Sequence, residues 1–203
     1  MNAGSALTNV SRETEERLRA FADLVLKWTP KINLISKKSQ DDIWERHIVD
    51  SIQVARCSDA SGHWVDLGSG GGFPGVVVAI MAKEQRPETR FTLIESDQRK
   101  SAFLRTAIRT LDLNACVLTD RIETVPAQRA DILSARALTD LNRLLAYAER
   151  HLTPGGAALF QKGANWEKEV EEARKYWNFN CEPIRSQTQE AAAILKIEGV
   201  SRD

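Results

Sequence analysis

The chain has 203 residues, 42% of them hydrophobic and 28% charged, and its 28 basic and 28 acidic side chains give a net charge of +0. That balance excludes a disordered chain, and neutrality excludes a protein that holds nucleic acid through a global basic field, so any such surface has to be a local patch. The length suits one compact domain with room for a short accessory segment, and a core of that size needs no disulfide or metal.

The first ten residues are polar and lack the basic-then-apolar order of a signal peptide. The longest purely apolar run, 76–82, is far short of the roughly 20 residues that a membrane span needs. Cys57, Cys116 and Cys181 are an odd set spaced too widely for a zinc knuckle, and read as reduced, core or half-buried thiols of a cytoplasmic protein.

Residues 11–28 predict an amphipathic helix, because Leu18, Phe21, Leu24, Val25 and Trp28 recur at three- and four-residue steps and Pro30 ends the run. Ser39, followed by Asp41 and Asp42, predicts the start of a second helix that carries Ile43, Trp44, Ile48 and Ile52 to about residue 56. These helices form an N-terminal cap over residues 1–60. From His63 the texture alternates short apolar runs with helical patterns, the signature of a parallel sheet with crossover helices. Strands are expected at 64–67, 91–95, 116–119, 131–135 and 157–161, and helices at 75–86, 97–111, 138–151 and 165–177. Thr153-Pro154-Gly155-Gly156 reads as a turn. Residues 179–184 and 192–197 form an antiparallel pair that closes one sheet edge. The expected fold over 61–203 is therefore α/β, and its five alternating units with a terminal pair resemble the Rossmann-like class I methyltransferase arrangement. It has a seven-stranded, mostly parallel sheet with an antiparallel terminal strand pair and the helical cap in front.

Asp66-Leu67-Gly68-Ser69-Gly70-Gly71-Gly72-Phe73-Pro74-Gly75 stands between the first strand and the first crossover helix. Glycines there let the backbone turn and let a ligand approach it, while the helix N-terminus offers unpaired amides. Gly70-x-Gly72-x-x-Gly75 also satisfies the dinucleotide fingerprint, and Glu95, at the end of the second strand, suits a ribose hydroxyl in either case. Asp66 at the end of strand one, Pro74 within the loop and the lack of a second domain favour S-adenosylmethionine over NAD(P).

The loop after strand four reads Ser134-Ala135-Arg136-Ala137. It holds no aromatic Asp/Asn-Pro-Pro segment for an exocyclic amine, no nucleophilic cysteine for a pyrimidine carbon and no acidic residue for a ribose hydroxyl. Guanine N7 fits such a site, because its lone pair carries no proton and transfer reduces to alignment and electrostatics.

Arg46-His47-Ile48-Val49-Asp50-Ser51, the loop at 66–75, Glu95-Ser96 with Phe103-Leu104-Arg105, Arg121-Ile122-Glu123, Arg136-Ala137 and Lys162-Gly163 occur in that order. Together they resemble the RsmG (GidB) family over nearly the whole chain. The resemblance implies methylation of guanine N7 in the decoding-region loop of bacterial 16S rRNA, within the small ribosomal subunit or its precursor. It also implies S-adenosylmethionine as cofactor, with S-adenosylhomocysteine as product, and no metal. It places Gly68 and Phe73 at the cofactor, Ile122 and Glu123 beside the adenine, and Arg136 beside the cofactor or the incoming base. The same loop logic adds Asp66, Gly70, Gly72 and Glu95. The chain departs from the family pattern at Trp28-Thr29, where the family has Trp-Asn.

Lys37, Lys38, Arg46, His47 and Lys162 are candidates for a phosphate-reading patch at the site mouth. Taken singly, each lysine or arginine reads more readily as a solvated surface charge, Arg46–Asp50 as an exposed i,i+4 pair, and His47 with Asp50, three apart on one helix face, equally as a local cap-stabilising pair. Arg136 differs because it stands at a strand's C-terminal end, where ligands bind in such sheets. Trp28, Trp44 and Trp64 read as core, and the Glu167–Glu172 run as an exposed helix face. A monomer suffices. Two other classes remain open, an NAD(P)-binding oxidoreductase and a non-catalytic RNA-binding or ribosome-assembly module.

Overall fold

The structure, a computed structural model, describes residues 10–202; the polar stretch before Val10 lies outside them. Helix α1 (Arg12–Ile32) starts at Ser11, whose hydroxyl accepts from the Thr14 amide at 3.1 Å. It runs past the expected stop at Trp28. Pro30 lies in the last turn, where only one backbone bond is lost, and the chain leaves through Asn33 in the left-handed region (φ 49°), its amide returning to the Thr29 carbonyl.

The second predicted helix is divided. Helix α2 (Lys37–Gln40) begins at Ser36, three residues before the expected Ser39, and a turn follows at Asp41-Asp42. Residues Trp44–Val49 are then π-helical and pass into α3 (Asp50–Ala55). A π-helical turn widens the backbone and re-aims side chains, an irregularity concentrated at functional sites.

Beyond residue 62 the elements alternate: β1 (His63–Leu67), α4 (Gly75–Gln85), β2 (Arg90–Ile94), α5 (Gln98–Leu111), β3 (Ala115–Leu118), β4 (Ala130–Arg136), α6 (Leu141–His151), β5 (Leu152–Lys162), α7 (Trp166–Ala173), β6 (Trp177–Arg185) and β7 (Ala193–Arg202). They form a seven-stranded sheet in the order β3-β2-β1-β4-β5-β7-β6. β7 runs antiparallel to both its neighbours and the other pairings are parallel. The order reverses between β1 and β4, and their C-terminal ends are where a ligand binds in this topology.

Period-two alternation splits each central strand between two cores. Trp64, Phe91, Leu93, Ile132 and Leu159 join one face; Val65, Leu67, Ile94, Leu133 and Phe160 join the other. The first face is covered by α4, buried along its first eight residues, 75–82, and above it by Leu18, Phe21 and Val25 of α1 and by Ile48 and Ile52. The cap therefore shares the core of the sheet. Leu141, Leu144, Leu145 and Ala173, from α6 and α7, cover the second face. No helix among the described residues is long and apolar enough to cross a membrane.

The predicted turn at 153–156 lies inside β5 as a bulge. Ala130 of β4 pairs with Leu152 and Ile132 with Ala157, so the intervening residues loop out through Gly155 at φ +83°. All three cysteines are free, and Cys116 is exposed where a half-buried thiol was expected. The reason is position: β3 is a sheet-edge strand.

A Cβ on Gly156 would lie 2.9 Å from the Ala130 carbonyl and 3.1 Å from that of Asp131, both backbone atoms that cannot swing aside. Gly156→Ala is expected to cost about 1–3 kcal/mol of unfolding free energy in urea titrations, as overpacking does. Wild-type stability in that variant would show the bulge to be pliable.

Candidate active site

The loop joining β1 to α4 is tied at several points. Gly68, Gly70 and Gly72 take φ values of +63°, +52° and +85°, which L side chains rarely adopt. The Ser69 amide donates to the Ile94 carbonyl at 3.1 Å, fastening the loop to the end of β2. Glu95, buried just beyond β2, accepts from the Gly70 amide at 2.9 Å and the Asp97 amide at 2.7 Å, one bond on each oxygen. A carboxylate accepts about four hydrogen bonds, so Glu95 shapes the loop and keeps acceptor capacity for a ligand hydroxyl. No side chain caps the α4 N-terminus; its Val76 amide instead returns to the Gly72 carbonyl of the loop at 2.9 Å, which ties the loop to the helix start.

Beneath the loop lies a buried polar chain that the sequence did not disclose. Trp64 Nε1 donates to Ser134 Oγ at 2.9 Å, and Ser134 Oγ donates to Asp66 Oδ1 at 2.6 Å. The contact follows from register, because Asp66 and Ser134 are partners across the β1–β4 pairing. Asp66 is 1% exposed and its Oδ2 has no hydrogen-bond partner. A Cβ on Gly75 would stand 2.6 Å from that oxygen, so the helix can start against Asp66 only with glycine there. Burial pushes the Asp66 carboxyl up to about 6, with the Ser134 hydroxyl pulling the other way. Asp66 lies under the loop as its support and offers no exposed surface to a ligand.

Phe73, 5% exposed, forms the hub of the next layer. The His47 ring stacks on it with centroids 4.9 Å apart and planes 26° apart, and Arg136 Cζ lies 5.2 Å from its centroid. Arg136 Nη1 donates to the Arg46 carbonyl at 3.2 Å and stands 3.6 Å from Asp50 Oδ2. Asp50 also accepts from Gln161 Nε2 and, at 3.2 Å, from Thr188 Oγ1. Arg136 thus binds the π-helical turn and α3 to the end of β4. The i,i+4 pairing of Arg46 with Asp50 that spacing predicts does not form: Asp50 is buried and turned to Arg136.

Burial, then Arg136 and Arg46, lowers His47 to about 3, and neither of its buried ring nitrogens has a partner. The imidazole is neutral at physiological pH. Burial raises the Asp50 carboxyl, opposed first by Arg136.

A cavity of about 370 Å³ opens beside this cluster, lined by Arg46, His47, Asp50, Arg136 and Gln161, and by parts of 186–194 in the β6–β7 connection and the start of β7. The other predicted residues take varied positions. Ile122 is buried and its carbonyl lies 3.3 Å from His151 Nε2. Glu123 is exposed, and its carboxylate accepts from Tyr147 and Arg143, which hold it down at about 2. Lys37 and Lys38 are exposed on α2, whose Ser39 reaches the cavity wall. Lys162 lines the cavity with its ammonium committed, 2.6 Å from Glu169 Oε2 and 2.9 Å from the Thr139 carbonyl. Glu169 accordingly leaves the exposed helix face expected for it, and also accepts from the Leu141 amide at 2.8 Å. Sequence reasoning missed Ser134 and Gln161 and left the role of Asp50 open. Gln161 carried one signal, a polar residue closing an otherwise apolar strand.

The family described as rRNA small subunit methyltransferase G matches residues 14–193. The chain belongs to that family. A Ruegeria pomeroyi protein named ribosomal RNA small subunit methyltransferase G is 59% identical over 194 residues, covering 96% of this chain and 95% of the relative. One of the same name from Ruegeria sp. strain TM1040 is 56% identical over 199 residues, covering 98% and 97%. Among solved structures, a SAM-dependent methyltransferase from Aquifex aeolicus superposes with a TM-score of 0.61 at 14% identity, over 80% of this chain and 96% of that one. M. jannaschii TYW2 in complex with AdoMet gives 0.57 at 16% identity, over 77% and 76%. At those identities the structures establish the fold alone, a Rossmann-like class I arrangement.

Asp66 gives a pH signature. Its folded value of about 6 lies above the ordinary 3.8, so the folded state favours the protonated acid. The stability it contributes is full below the lower value and is lost as pH rises through the upper one, on the order of 3 kcal/mol in all. Asp66→Asn removes this titration. Urea unfolding at about pH 4.5 and pH 7 is expected to show the variant gaining on wild type at the higher pH. A difference that does not change with pH would refute the assignment.

Proposed function

We propose that this chain transfers a methyl group from S-adenosylmethionine to N7 of a guanine in 16S rRNA. The observation that carries this reading is the meeting of two sites at Phe73 and Arg136. On one side lie the tied glycine loop and Glu95, at the C-terminal ends of β1 and β2. On the other is the cavity between the cap and the ends of β4 and β5.

The residues present fit the cofactor. Glu95 retains acceptor capacity for the ribose hydroxyls, and positive-φ glycines let the loop pass close to the methionine portion. When bound, S-adenosylmethionine supplies a sulfonium-activated methyl. The chain's own contribution is alignment and electrostatics. Phe73 and His47 form an apolar wall that keeps water from the reacting line. His47 is no proton acceptor at neutral pH, with its value near 3, and the reaction at N7 needs none. Positive charge develops on the purine during transfer, and an unpaired Arg136 alongside would oppose it. Asp50, 3.6 Å from the guanidinium, offsets that repulsion. The ring enters the cavity unstacked from an RNA loop. Exposed Lys37 and Lys38 and half-buried Arg46 lie at or near its rim as phosphate contacts. Lys162, already neutralised by Glu169, positions the end of β5. The Ile122-Glu123 backbone segment after β3 flanks the adenine. We place the reaction in the cytoplasm, with the small ribosomal subunit or its precursor as substrate and the protein acting as a monomer.

Incubating the protein with S-adenosylmethionine and small subunits that lack the modification, then mapping N7-methylguanosine by chemical cleavage, is expected to show one modified guanine in 16S rRNA. Tight NADH binding with no S-adenosylhomocysteine binding would mark an oxidoreductase instead, and cofactor binding with no label in RNA a non-catalytic module. Glu95→Ala is expected to weaken S-adenosylhomocysteine binding in calorimetry by about 1–3 kcal/mol, as loss of charge-assisted hydrogen bonds does. Unchanged affinity would refute the ribose contact.

A further inference from the structure

We infer that Arg136, Asp50 and Gln161 form a linear recognition array that reads the O6–N1–N2 edge of the target guanine in the manner of a paired cytosine; this rests on the guanine-N7 reading above. Gln161 is the key member of the array. Its side chain lines the cavity, is 9% exposed, and donates through Nε2 to Asp50 Oδ2. A carboxylate only accepts, so that bond fixes which end of the amide faces Asp50. Oε1 is the other end, and it is buried without a partner. An orphaned buried acceptor is unfavourable unless a ligand donor completes it.

Asp50 is the only carboxylate that lines the cavity among the described residues. Its oxygens carry Gln161, Thr188 at 3.2 Å and Arg136 at 3.6 Å, short of the roughly four acceptor positions that a carboxylate offers. The side chains are joined in the order Arg136, Asp50, Gln161, and they offer donor, acceptor, acceptor once a small shift of the Gln161 amide brings its buried Oε1 to the cavity. Guanine presents acceptor, donor, donor along O6, N1–H and N2–H₂, the complement in the same order. O6 and N7 are neighbours on the purine. Seating O6 at Arg136 therefore turns N7 towards Phe73 and the glycine loop, where the methyl must arrive.

Adenine in this position sets its amino group against Arg136 and the N1 lone pair against Asp50. Both are like-to-like contacts, which reject the wrong base more strongly than a lost contact does. The cavity, about 370 Å³, is of a size with small-molecule sites, and His47, which lines it and stacks on the buried Phe73 behind, supplies the flat wall beside which the ring sits.

The test compares small subunits reconstituted with guanosine or with inosine at the target position; inosine retains O6 and N1–H but lacks the 2-amino group. With wild-type protein, kcat/KM on inosine is expected to be about 10–100-fold below that on guanosine, the worth of one buried hydrogen bond. Gln161→Ala is expected to lose a similar factor on guanosine and to use the two substrates equally. Asp50→Asn, whose amide can turn a donor towards N1–H, is expected to lower kcat/KM on both. Calorimetric affinity for S-adenosylhomocysteine reports whether each variant retains its fold; if one does not, the wild-type comparison decides alone. Equal use of guanosine and inosine by active wild-type protein would overturn the array and leave the methyltransferase reading intact, as would a Gln161→Ala variant that keeps the full preference. Absence of N7 methylation on guanosine subunits with wild-type protein would overturn both.

Discussion

The site depends on one buried carboxylate. Asp66 stands at the C-terminal end of β1 with no solvent to stabilise it, held by one short bond from Ser134 and pressed against the start of α4 at Gly75. Its presence requires glycine at 75, a hydroxyl on the neighbouring strand, and an indole at Trp64 to orient that hydroxyl. In return it sets the loop above it, which Glu95 then secures from the second strand. Burying a charged group so incompletely paired is unfavourable, and the core packed on both faces of the sheet supplies the excess that tolerates it. Rigidity of this kind is what a reaction governed by alignment requires.

A second electrostatic arrangement sits above the first. Arg136, Asp50 and Gln161 come from β4, α3 and β5, and each is nearly enclosed. Arg136 cannot shed its proton, so Asp50 has to remain beside it for the cap to close over the sheet. The π-helical turn at Trp44–Val49 lies where this happens, and the side chains it carries, Arg46 and His47, meet Arg136 and Phe73. The irregular backbone and the buried charge pair are two aspects of one closure.

Features carried by periodicity and punctuation were legible in the sequence. The central strands and the α4 and α5 helices follow from apolar patterning, and the loop from its glycines and its place between strand and helix. Long-range partnerships were not. Spacing paired Arg46 with Asp50, but a six-residue π-helical stretch and an opposing strand gave Asp50 to Arg136 instead. Pro30 suggested a stop, yet a proline in a final turn removes only one bond. Lys162 read as a free charge because Glu169 comes from a helix whose rotation against the sheet no local pattern reveals. Ser134 and Gln161 are short or neutral polar residues in strands, and their meaning rests on which residue register sets opposite them. The match over residues 14–193 supplied the family, and only the packed chain supplied these contacts.

The stitching between the cap and the last hairpin has a consequence for how the protein is made. Gln53 donates to the Arg185 carbonyl and accepts from the Gln187 amide, while Thr188 reaches Asp50. The far wall of the acceptor cavity is thus built from residues of 186–194 against helices that leave the ribosome well before them. A nascent chain that has emerged through β4 already contains the glycine loop, Glu95 and the Ser134 hydroxyl on which Asp66 rests, but it has no enclosed place for a base. Synthesis therefore separates the two halves of the site in time. The cofactor cradle can order once β4 has joined β1, and the capacity to accept a nucleotide arrives only when β7 is paired.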